Sequence, residues 1–130
     1  MGKYSDREWY KTELNKYMEK YGEVPPPWIY EPNSHPYSMQ WRMGGGETFM
    51  MVFYEWFPEI YKTEEERIAY FKKYSPTPRW LGWIANAIWD IRSWTHEGFS
   101  YTPYFEKLKQ SGFEGISEYE KDLNDDKWID

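Results

Sequence analysis

His35, Arg42 and Glu47 share one short segment, and together their side chains could do chemistry. A histidine can act as a base, an arginine as an anion anchor and a glutamate as an orienting carboxylate. His35 stands in the turn-forming run Glu-Pro-Asn-Ser-His-Pro at 31–36, beside Tyr37. An exposed turn histidine is the simpler expectation, because no spacing rule brings these three groups within hydrogen-bond reach. The other histidine, His96, closes a helical pattern with Glu97, where the helix dipole favours a cation. With two histidines, no cysteine, no H-E-x-x-H and no EF-hand loop, the reading assigns no metal and no cofactor.

Gly44, Gly45 and Gly46 precede a candidate helix and could gather free N–H groups around an anion. Arg42 favours that use; Glu47 opposes it, since a first-turn carboxylate already complements the dipole. The chain carries no phosphate-binding G-x-x-x-x-G-K-[ST] loop, so a flexible entry into the helix is the expected role. Serine hydrolysis lacks its G-x-S-x-G elbow. Glu64–Glu66 fall on a capped helix start and read as dipole complements. The balance leans away from an enzyme.

Aromatic residues offer more. Phe, Trp and Tyr make up 22% of the chain, with nine Trp and thirteen Tyr. Trp28, Tyr30, Tyr37 and Trp41 sit among five prolines and the glycine triplet in the unpatterned stretch 24–46. Long loops without a pattern are uncommon in compact domains and are often functional. Four large rings argue that this one is ordered, because disordered segments lack apolar groups to offset ordering entropy. They suit a contact surface, where Trp, Tyr and Arg dominate. Trp28 and Trp41 could equally be anchors that pin the loop to the helices.

Charge is unevenly placed. Of the net −6, the segment 113–130 carries −5, with seven acids against Lys121 and Lys127. No basic stripe is present, which disfavours nucleic acid, and an acidic chain is repelled by anionic lipid. No apolar run approaches the roughly 20 residues of a membrane span. The N-terminus has no apolar leader core, so a cytoplasmic location is expected.

The elements that position these residues read as helices. Ser5 with Glu8 forms a capping box before a helix over 6–21, with Tyr10, Leu14, Tyr17, Met18 and Tyr21 on its apolar face. Pro25–Pro27 should be extended. From Glu47, the residues Phe49, Val52, Phe53, Trp56 and Ile60 share a helical face; 48–54 would also serve as a strand, and Pro58 should kink or end the element. Thr63 and Glu66 make a second capping box, ahead of a buried side of Ile68, Phe71 and Tyr74. Thr77 and Pro78 open a central helix over 78–94 whose uncharged back carries Gly82 and Ala85 for close approach by a neighbour. Thr102-Pro103 starts a short helix to about Gln110, and a weak acidic helix follows from Ser117.

The expected architecture is all-α, one domain over 1–130 with five or six helices and an ordered aromatic loop at 24–46 packed on them. The leading functional expectation is a protein-binding module, for instance a small inhibitor or antidote protein that occludes a basic partner. Trp28, Tyr30, His35, Tyr37, Trp41, Arg42 and Glu47 would supply the contact surface, with Asp122, Asp125 and Asp126 steering the encounter. Two alternatives stay open: a small-molecule pocket or enzyme centred on His35, Arg42 and Glu47, and a structural subunit of a homo-oligomer.

Overall fold

A computed structural model describes residues 6–91 and 100–125. Among them the chain is all-α, with seven α-helices, three 3-10 turns and no strand. It divides into two compact units, Met1–Lys62 and Thr63–Ile129. No described helix is long and apolar enough to cross a membrane.

The first unit is built on α1 (Glu8–Tyr21) and α3 (Gly44–Ile60), which pack on each other. Arg7, in extended conformation, occupies the cap position of α1 without a side-chain bond; the expected capping residue, Ser5, lies outside the described residues. Gly22 ends the helix in the left-handed region at φ 82°, as a C-terminal glycine does. The ambiguous stretch 48–54 is helical. Its Phe49, Val52, Phe53 and Trp56 are buried with Met50 and Phe57, whereas Ile60, expected inside, is 51% exposed. Pro58 lies within α3, which ends two residues beyond it, so the missing N–H costs only a bond in the last turn.

The expected loop is ordered, but less irregular than its sequence suggests. Pro26 is extended, Pro27–Tyr30 forms a single helical turn (α2), and Met39–Arg42 forms a 3-10 turn. The glycine triplet is not a flexible entry: it is the first turn of α3.

In the second unit, α4 (Glu64–Lys72) begins at the expected capping box. Thr63 Oγ1 accepts from the Glu66 N–H at 3.1 Å, and the Thr63 N–H donates to Glu66 Oε1 at 3.0 Å. The buried face of α4 is Arg67, Tyr70 and Phe71, with Ile68 and Tyr74 only half-buried. The expected central helix is shorter than its pattern. A 3-10 turn, Pro78–Trp80, leads into α5 (Leu81–Trp89), which Asp90 closes at φ 52°. Thr77 makes no side-chain cap bond, and Trp94 lies outside the described residues. Arg67 secures the end of α5. Its guanidinium donates to the Ala87 and Ile88 carbonyls at 3.2 Å each and meets Asp90 Oδ2 at 3.5 Å.

A tyrosine uses the small residues on the back of α5. A Cβ on Gly82 would lie 2.3 Å from the Tyr119 hydroxyl, so only glycine lets that ring approach. Tyr119 begins α7 (Tyr119–Leu123), which follows a 3-10 turn at Ile116–Glu118. Its ring also meets Phe105 of α6 (Thr102–Gln110) edge-on at 4.9 Å. Thr102 is not the cap expected of it: Tyr101 occupies the cap position without a side-chain cap bond, and the Thr102 N–H donates to Ser100 Oγ at 3.2 Å.

Candidate binding site

The segment from Glu31 to Met43 is held by hydrogen bonds that converge on His35. Ser34 turns back on Glu31, its hydroxyl donating to that carbonyl at 2.7 Å. The His35 N–H donates to Ser38 Oγ at 3.2 Å, and the His35 carbonyl accepts from the Ser38 N–H at 3.0 Å and from the Trp41 indole N–H at 2.9 Å. His35 Nδ1 accepts from the Tyr37 N–H at 3.0 Å. The expectation of an exposed turn histidine is therefore overturned: His35 is buried, with Ser34, Ser38 and Trp41. Burying so many polar groups is tolerable only because they satisfy one another.

The aromatic residues divide by burial. Trp28 and Trp41 are buried. Tyr30 is half-buried and stacks on Phe49 at 4.3 Å, with Tyr17 edge-on at 5.8 Å. Tyr30 and, through Phe49 at 5.8 Å, Trp41 tie the loop to α1 and α3, and with Trp28 buried none of the three is available as a free surface. Tyr37 alone of the four is open, at 68% exposure. Met39 and Met43 stand out beside it in the chain, 52% and 59% exposed. Arg42 is also exposed, and its guanidinium donates to the Tyr37 carbonyl at 3.4 Å. The pattern follows the 3-10 turn, with Ser38 and Trp41 facing in while Tyr37, Met39, Arg42 and Met43 face out.

Gly46 locks this turn onto α3. A Cβ there would fall 1.9 Å from the Gln40 carbonyl oxygen, so the backbone of 40–41 occupies the space a side chain would need. Sequence reasoning saw the triplet but could not tell which glycine mattered sterically. The two methionines were also missed, because they lie outside any periodic element.

The remaining candidates are dispersed. Glu47 is exposed in the first turn of α3, and among the described residues it makes no ion pair with Arg42 and no bond with His35. Asp122 is tied into the second unit. Its carboxylate accepts from the Arg79 N–H at 2.8 Å and pairs with the largely buried Arg79 guanidinium at 3.4 Å. Asp125 is exposed; Asp126, His96 and Glu97 lie outside the described residues. Among the described residues no three His, Asp or Glu side chains converge as a metal site would require. No protein-family model matches the chain, and no curated protein or solved structure is significantly similar to it.

Proposed function

We propose that this chain is a protein-binding module whose contact tip is the turn 37–43. One observation carries the reading. Residues 32–46 contain a single charged side chain, Arg42, and expose Tyr37, Met39 and Met43 from a backbone held by buried groups. Tyr, Met and Arg are enriched at protein interfaces while other charges are depleted from their cores. A frame ordered before contact lowers the entropy cost of association. The module acts by occlusion, as a small inhibitor does, with Tyr37 entering an apolar recess and Arg42 meeting an acceptor at its rim.

The acidic segment then contributes less to the contact. Asp122 is engaged with Arg79, so a basic partner would have to be met by Asp125 or other exposed acids. The test compares partners captured by the native protein with those captured by Tyr37→Ala, Met43→Ala and the control Tyr54→Ala. Tyr54 is exposed on α3, outside the tip. A partner bound by the native protein and the control, but released faster by both tip variants, supports the reading. Equal dissociation rates across all four proteins would refute it. Truncating exposed side chains should leave stability within about 0.5 kcal/mol, so lost binding would not reflect unfolding.

A further inference from the structure

We propose that Trp89, Tyr104 and Glu64 form a seat for a quaternary ammonium group, which Lys107 fills in the free chain. The indole of Trp89 and the phenol of Tyr104 lie 5.4 Å apart with their planes at 42°. The Lys107 ammonium stands 5.4 Å from the first ring and 5.8 Å from the second, so one cation is shared by two π faces. Glu64 accepts a hydrogen bond from the Trp89 indole N–H, which fixes the larger ring and puts a carboxylate beside it. Both rings are half-buried, and Lys107, which lies over them, is exposed.

Aromatic faces attract cations through the ring quadrupole, and rings flanked by negative charge are how quaternary ammonium groups are recognised. Lysine is a poor permanent occupant because its compact ammonium is strongly hydrated and its stem is flexible. A quaternary ammonium has no N–H to hydrate and sheds water more readily. Lys107 is exposed, so it can leave without uncovering the core. A second ammonium shared by two rings among the described residues, Lys73 over Tyr70 and Tyr74, differs in that Tyr70 is 1% exposed.

The test is an NMR titration of the Trp89 indole resonance with tetramethylammonium, choline and N-acetyl-trimethyllysine amide, in the native protein and in Lys107→Ala. Alanine keeps the helix and removes the internal competitor. If Lys107 fills the seat about nine-tenths of the time, its removal should tighten binding about tenfold. Tyr104→Leu in the Lys107→Ala background should abolish saturation, and neutral tert-butanol should produce none. Choline binding more tightly than the lysine derivative would assign a small-molecule ligand; the reverse would assign a methylated protein. No saturable shift in Lys107→Ala, equal affinity with and without Lys107, or an equal response to tert-butanol would overturn the proposal.

Discussion

Substituting alanine in turn at Gly44, Gly45 and Gly46 should give three different results, although helix propensity alone predicts one. All three belong to the first turn of α3, where exchanging glycine for alanine would ordinarily stabilise by up to about 1 kcal/mol. At Gly45 that expectation should hold, because the nearest atom to a new Cβ is the Tyr30 hydroxyl at 3.7 Å, an ordinary contact. A gain of about 0.4–1 kcal/mol is expected. Gly44 has φ +62° and open space around it, so alanine pays only for the left-handed backbone, about 1–2 kcal/mol. Gly46 is different again. Its new Cβ would sit 1.9 Å from the Gln40 oxygen and 2.7 Å from the Gln40 carbon, distances that must open to at least 3.0 Å. Backbone must move, and Trp41, bonded to the His35 carbonyl, must move with it. Overpacking that forces backbone to move falls at the upper end of its usual range, about 2–3 kcal/mol, so against a helical gain of up to about 1 kcal/mol the net loss is about 1–2 kcal/mol. Denaturant unfolding followed by tryptophan fluorescence would measure all three, read as midpoints at constant slope. A neutral or stabilising Gly46→Ala, or a Gly45→Ala more harmful than Gly46→Ala, would refute the steric reasoning. The same displacement should weaken any partner bound through Tyr37.

Three further outcomes are expected. Gly82→Ala should destabilise by about 1–3 kcal/mol, and Tyr119→Phe in the same chain should recover part of the loss by removing the hydroxyl that the new Cβ meets; strict additivity in a double-mutant cycle would exclude the contact. Asp122→Ala should cost about 2–4 kcal/mol in denaturant unfolding by removing the carboxylate that both the largely buried Arg79 guanidinium and the Arg79 N–H use, while leaving the salt dependence of partner association unchanged; a lower association rate at full stability would restore Asp122 as a steering residue. Burial, and then the bond to Glu13, push the Tyr17 hydroxyl well above its ordinary 10.0, and burial with Glu55 and Glu59 raises Tyr10. The unfolded tyrosines ionise first, so this contribution is whole below about pH 10 and is lost as pH rises beyond it. Tyr17→Phe should flatten the alkaline fall in stability, and an unchanged slope would contradict the assignment.

What could be read from the sequence were signals that act within a turn or two of the chain. Thr63 and Glu66 satisfy each other's backbone three residues apart, and no distant neighbour is needed to see it. Gly22 likewise announces the end of α1, and the spacing of Phe49, Val52, Phe53 and Trp56 makes α3 a helix against the pull of a strand-like composition. Those local rules were enough for an all-α chain with an ordered aromatic segment. They could not say which residues face inward where the period is lost. Trp41 and Tyr37 look interchangeable in sequence, yet one donates its indole N–H to a buried carbonyl while the other stands in solvent. His35 looks like a surface turn residue until the groups around it supply partners for its backbone and ring. Asp122 reads as part of an acidic run, but Arg79, forty-three residues earlier, claims it. In each case the outcome depends on atoms brought near by packing, because burial and polar pairing are properties of neighbours in space, and helix propensity and capping are properties of neighbours in the chain.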